Sequence, residues 1–236
     1  NFLYELLCEI VTKYKPDGIN LDYIRYPQSL DIIYSNYDMS NWGYTKYART
    51  EFNNMYGVDP IELTTSDPLW AQWKAYRCNK VTNFVRRVGI MCRYNNIMIT
   101  TVIFPNRTLA LNTKMQDWKT WSVNNFVDGF TPLFLTCNDS TAINLIEEVL
   151  RNKSASTKLY AGLFVTFMNG SNSDLIKQIH AARKYCLSGI IIFDYAHLNN
   201  TYVETLTESV FRPIKADQSL TQPQQTQDVQ RGKRRG

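Results

Sequence analysis

Histidine is nearly absent from the 236-residue chain: only His180 and His197 occur. They lie far apart, with no placed carboxylates to complete a metal site. Cysteine is sparse as well. Cys8, Cys78, Cys92, Cys137 and Cys186 are odd in number, scattered and free of C-x-x-C spacing. That excludes a disulfide framework and a cysteine zinc site, and leaves small buried thiols. No metal and no cofactor is expected. No apolar run reaches membrane-spanning length, so no membrane span is expected in this chain. A basic surplus is missing from the body of the chain. The formal net charge is +5, but Arg231, Lys233, Arg234 and Arg235 sit at the extreme C-terminus. Without them the body is near neutral and offers no nucleic-acid footprint. The tail reads as a short solvated charge run. From Lys215 onward the sequence is rich in Gln, Thr and Arg with almost nothing to bury. We expect one domain over residues 1–213 and a disordered tail over 214–236. The chain opens at Asn1, so any signal segment would lie upstream.

What is present is ordinary in hydrophobic (44%) and charged (20%) content, but aromatics reach 13%, with 15 Tyr and 5 Trp. Tyrosine and tryptophan suit flat apolar surfaces that must also hydrogen-bond, such as sugar rings and interfaces. They equally suit a Tyr-rich core.

The organising stretch is Asp17-Gly18-Ile19-Asn20-Leu21-Asp22-Tyr23-Ile24-Arg25-Tyr26-Pro27. It reads as a buried strand entering a loop loaded with ionisable and aromatic groups. Alternation puts Gly18, Asn20 and Asp22 on one face and Ile19, Leu21 and Tyr23 on the other. The apolar face is suited to a helix layer. The other presents an amide and then a carboxylate at the strand's C-terminal end, where parallel barrels place their chemistry. Pro27 ends the strand.

A helix over Phe2 to Tyr14 precedes this strand, with Pro16 as its stop. A long insert, Gln28 to Ser66, follows it and contains a helix from Thr45 to Tyr56; an insert of this length reads as a lid or wall. A strong helix runs from Leu69 to Arg93. Further strands are expected at Ile97–Phe104, Phe126–Leu135, Leu159–Thr166 and Gly189–Tyr195. Helices are expected at Asp139–Lys153, Asp174–Tyr185 and Tyr202–Phe211. The αβ alternation, with strands apolar enough to be covered on both sides, is that of an α/β parallel sheet. A closed barrel needs eight strands. About five strands mean an open sheet or a chain that starts partway round a barrel, and the abrupt helical start favours the second.

The run DGINLDYIRYP, Trp42-Gly43-Tyr44, the stretch Trp73 through Arg77 to Asn79, MQDWKTW with VDGFTPLFLT, KLYAGLFVT and GIIIFDYAHL resemble the bacterial glycosyl-hydrolase-like family 10 over residues 1–212, in order. The resemblance implies a TIM-type (β/α)8 barrel whose fourth strand is the organising one, truncated at the N-terminus. It implies cleavage of glycosidic bonds in a bacterial glycan such as peptidoglycan, and an extracellular or cell-envelope location. The chain departs from the family at two points. Many relatives carry DDY where this chain has the single acid Asp22 before Tyr23. Their PMxY is here Pro132-Leu133-Phe134-Leu135, which lacks the ring hydroxyl.

Glycoside hydrolysis ordinarily needs two carboxyl groups across the scissile bond. Asp22 is the first candidate, the alternative being a carboxylate tied to Arg25. Asp194, at the end of the last strand, is either a mouth residue or a helix cap. Asp117 is either a second acid or an N-cap. Asp17 and Asp128 start their strands at the opposite end and read as structural. Asn20, Arg25 and Tyr26 are candidate substrate contacts, and Trp42, Trp118 and Trp121 candidate stacking platforms or core. Five Asn-x-Ser/Thr sequons, at Asn106, Asn138, Asn152, Asn169 and Asn199, read as chance. The rival readings are a barrel that binds glycan without cutting it and a structural envelope protein.

Overall fold

A computed structural model describes residues 2–27 and 42–212. The expected tail, 214–236, and the first part of the insert, 28–41, lie outside the described residues. The strands are β1 (Gly18–Leu21), β2 (Met98–Ile103), β3 (Gly129–Phe134), β4 (Lys158–Phe164) and β5 (Gly189–Phe193), all parallel and in sequential order. They form a curled half-barrel, a truncated α/β TIM-type barrel. The helices are α1 (Phe2–Tyr14), α2 (Lys46–Tyr56), α3 (Trp70–Tyr94), α4 (Arg107–Thr113), α5 (Trp118–Val123), α6 (Asp139–Asn152), α7 (Asn172–Lys184) and α8 (Asn200–Glu208).

The alternation seen in the sequence sets the two faces of the sheet. Ile19, Leu21, Ile99, Ile103 and Phe130 point outward and pack with Val11 of α1, Val85 and Val88 of α3, and Trp118 and Trp121 of α5. Farther along, Ala161 and Leu163 of β4 pack with Leu175, Ile179 and Ala182 of α7 and with Tyr202 and Leu206 of α8. Each large apolar side chain fully buried this way contributes about 1.5–3 kcal/mol. On the inner face, Asn20, Thr100 and Gly129 stand in register across β1, β2 and β3. The Tyr160 ring lies across Gly129 and Gly189, where added Cβ atoms would sit 3.1 and 3.0 Å from it.

The described part of the insert folds as a small aromatic core of its own. Phe52 of α2 meets Trp73 and Tyr76 of α3 edge-on, and Trp73 stacks on Tyr76 at 5.2 Å. Thr45 caps α2, its hydroxyl accepting from the Ala48 N–H.

Several expectations shift. α4 and α5 have no counterpart in the sequence reading, and α7 begins at Asn172 rather than Asp174. Three sequon asparagines have a structural reason: Asn106, Asn138 and Asn199 cap α4, α6 and α8 by accepting from the N–H groups of Leu109, Thr141 and Tyr202. An oxygen-bearing side chain at the N-cap is worth about 1 kcal/mol.

Candidate active site

The site is built where β1 ends. β1 presents Asn20 on the inner face, and its side-chain oxygen accepts from the Thr100 hydroxyl at 2.8 Å. Asn20 thus joins β1 to β2 just below the mouth while staying exposed. Asp22 follows the strand directly, with 42% of its side chain exposed. Its Oδ1 accepts from the Tyr23 N–H at 2.6 Å and lies 3.8 Å from Arg25 Nη1. The Arg25 contact is long, so the carboxylate is neighboured rather than locked.

Tyr23 bends the chain. Its φ is +51°, in the left-handed region, and its carbonyl accepts from the Arg25 N–H at 2.7 Å. The bend carries the Tyr23 ring into solvent, 76% exposed, away from the buried face that it would share with Leu21 in a continued strand. Arg25 folds back over it, its guanidinium carbon 4.1 Å from the Tyr23 ring centroid and 5.2 Å from that of Phe104.

Gln116 fixes the rest of the loop. Its amide donates to the carbonyls of Ile24 and Val102 at 3.2 and 3.1 Å and accepts from the Phe104 N–H at 2.9 Å. The Tyr26 N–H donates to the Lys114 carbonyl at 3.0 Å. Lys114 is buried, with its ammonium 4.8 Å from the Phe104 centroid. Burial, and then the neighbouring Arg25 charge, push its pKa down to about 8.

Tyr26 lies deeper, and burial raises its phenol pKa while the Arg77 guanidinium pulls it back. Gly43, with φ +97°, passes so close that an added Cβ would sit 2.8 Å from the Tyr26 ring and 3.0 Å from Arg77 Cδ. Both the backbone conformation and the space require glycine there. Arg77 is 1% exposed; its Nη1 donates to the Trp42 carbonyl, and its guanidinium faces Trp73, Trp70 and Tyr26. Trp42 keeps 42% of its surface exposed beside this cluster.

The remaining sequence candidates stand elsewhere. Asp117 is the N-cap of α5, accepting from the Thr120 N–H at 3.3 Å and the Thr120 hydroxyl at 2.7 Å. Asp194 lies past β5, the edge of the sheet opposite β1. It caps the 3₁₀ turn Tyr195–His197, its Oδ1 2.6 Å from His197 Nδ1 and 3.1 Å from the His197 N–H. The imidazole contact holds its carboxyl below the usual range. Trp118 and Trp121, read as platforms or core, are both fully buried, Trp118 edge-on to Phe130 and Trp121 donating to the Thr82 hydroxyl. Asn20, Asp22, Arg25 and Tyr26 therefore share one end of the half-barrel, with Trp42 attached through Arg77.

Arg77 and Gln116 entered the sequence reading only as letters of longer motifs, Tyr23 only as a member of the apolar strand face, and Lys114 not at all. Gln116 had a signal, its place beside Asp117 in the QDW run; Lys114 had none. Among the described residues, no group of three or more His, Cys, Asp or Glu side chains is placed to hold a metal ion, and no helix is long and apolar enough to cross a membrane.

No curated protein matches the chain. The family model glycosyl hydrolase-like 10 matches residues 1–173, which include the mouth loop, the insert and the QDW run but not Asp194. The chain belongs to the glycosyl hydrolase-like 10 family.

Proposed function

We propose that the protein is a glycoside hydrolase acting on a bacterial glycan such as peptidoglycan, with Asp22 as the central carboxyl group. The observation that carries this reading is the position of Asp22: directly after β1 of a parallel half-barrel, part exposed, in a chain of a glycosyl-hydrolase-like family. Barrels of this kind work at the C-terminal ends of their strands. Asp22 protonates the leaving oxygen or acts from the opposite face of the ring, and a second carboxyl group takes the other task. Asp117 and Asp194 are the proposed partners. Asn20, Arg25, Tyr26 and Trp42 contact the sugar. Trp118 would act only indirectly, as the core beneath α5. An envelope or extracellular location follows from such a substrate.

One observation favours a second reading, a barrel that binds glycan without cutting it: Asp117 and Asp194 each already serve as a cap. The experiment that separates the two is hydrolysis of purified peptidoglycan strands by the protein beside its Asp22→Asn variant. Product release that vanishes in the variant supports the hydrolase; binding without release from either protein supports the second reading.

A further inference from the structure

We infer that the mouth selects glycans whose sugars carry a carboxylate, and that Arg25 is the residue that reads it. The inference rests on the glycan-acting reading above and adds the chemical class of the substrate.

Three features of Arg25 converge. Its guanidinium is stacked on Tyr23 on one side and faces Phe104 on another, so its plane is fixed before any ligand arrives. A pre-oriented planar fork is the geometry that captures a carboxylate through paired N–H donors. Its Nη1 is buried yet makes no hydrogen bond within the described residues. The nearest carboxylate oxygen, Asp22 Oδ1, is 3.8 Å away and already accepts from the Tyr23 N–H. A buried guanidinium nitrogen without an acceptor is costly, and a ligand oxygen placed there removes that cost.

The surroundings favour an acidic ligand over a neutral hydroxyl. Lys114 brings a second cation to the same Phe104 ring, its ammonium 4.8 Å from the centroid. Arg25 and Lys114 thus stand together at one aromatic ring, with Asp22 as the adjacent acid. An anionic group entering beside Arg25 interacts favourably with both cations. Tyr23, exposed and braced from below by Arg25, offers a flat face for the sugar that bears the carboxylate.

Carboxylates reach glycans in two ways, as uronic acids and as lactyl ethers on amino sugars, and three probes of matched length separate them. Chitohexaose is neutral, a peptide-free peptidoglycan hexasaccharide carries lactyl carboxylates, and a hyaluronan hexasaccharide carries uronates. Binding of each is measured by calorimetry for the full chain and for its Arg25→Gln and Arg25→Lys variants, with cleavage products recorded in the same samples. The expected result is roughly ten- to hundredfold tighter binding of one acidic probe than of chitohexaose, the size of one charge-assisted contact. Arg25→Gln abolishes that preference, weakening the favoured acidic probe by at least about tenfold more than it weakens chitohexaose; Arg25→Lys retains part of it. The favoured probe identifies the source of the carboxylate. Equal affinity for all three, no binding of either acidic probe, or an Arg25→Gln variant that weakens all three alike overturns the inference. Acid preference without cleavage keeps it while removing the hydrolase reading. Cleavage without acid preference does the reverse.

Discussion

The Gln116 side-chain amide donates to the Ile24 carbonyl across 3.2 Å, tying the loop that carries Asp22 and Arg25 to the end of β2. Its other two bonds, to Val102 and Phe104, hold the same amide in the β2 exit. The shape of the mouth therefore depends on a buried neutral side chain from the segment between α4 and α5.

Gln116→Leu leaves the Phe104 N–H and two carbonyls without their partner and is expected to destabilise the protein by about 3 kcal/mol. Gln116→Glu preserves shape but removes both donors, and is expected to cost at least about 2 kcal/mol. Urea unfolding of both variants measures this. A Gln116→Glu protein as stable as the parent contradicts the pinning role.

Trp118 and Trp42, both candidate platforms by sequence, should part company because one is buried and the other exposed. Trp118→Ala removes a fully buried ring packed on Phe130 and should cost about 3–5 kcal/mol. Trp42→Ala should leave stability within about 1 kcal/mol, because much of its surface is already exposed. Glycan affinity should fall in Trp42→Ala. Thermal unfolding and glycan binding on both variants give the comparison.

Lys114 gives the stability profile a recognisable alkaline signature. Its folded pKa, about 8, lies below its ordinary 10.5 because burial disfavours the charge. Between those values the unfolded chain binds the proton and the folded one does not, so this group makes stability rise with pH across about 8 to 10.5. Cys78 and Cys92 oppose it in part: burial raises both thiols from 9 to about 11, and their contribution falls with pH between those values. The difference between wild type and Lys114→Met isolates the lysine. Urea unfolding from pH 7 to 10.5 should show a wild-type slope more positive than that of the variant; parallel profiles contradict the assignment.

The two capping acids are separable from Asp22 by isosteric change. Asparagine is also a good N-cap, so Asp117→Asn should alter stability by a few tenths of a kcal/mol, whereas Asp117→Ala should cost about 1 kcal/mol. If Asp117 acts only as a cap, hydrolysis survives Asp117→Asn. Loss of hydrolysis at unchanged stability in that variant, or in Asp194→Asn, identifies the second carboxyl group.

Much of the frame was readable because it rests on periodicity. Ile19 and Leu21 alternate with Asn20, and the helix stripes in Phe2–Tyr14 and Trp70–Tyr94 are long enough to fix their faces. α4 and α5 escaped because six- or seven-residue helices are too short to show a stripe. Trp118 was ambiguous for the same reason: within one turn, a ring facing Phe130 and a ring facing solvent read alike. At the site, strand parity placed Asn20 and Asp22, but the left-handed turn at Tyr23 broke it for the residues beyond. Lys114 was invisible because lysine is almost never fully buried, and its position follows from tertiary packing around Phe104.

Hydrolysis of purified peptidoglycan strands by the protein and by Asp22→Asn, at matched thermal stability, tests the central claim. The account predicts release of reducing ends by the wild type and a fall of about a thousandfold in the variant. Equal release from both proteins, or binding without release from either, contradicts it.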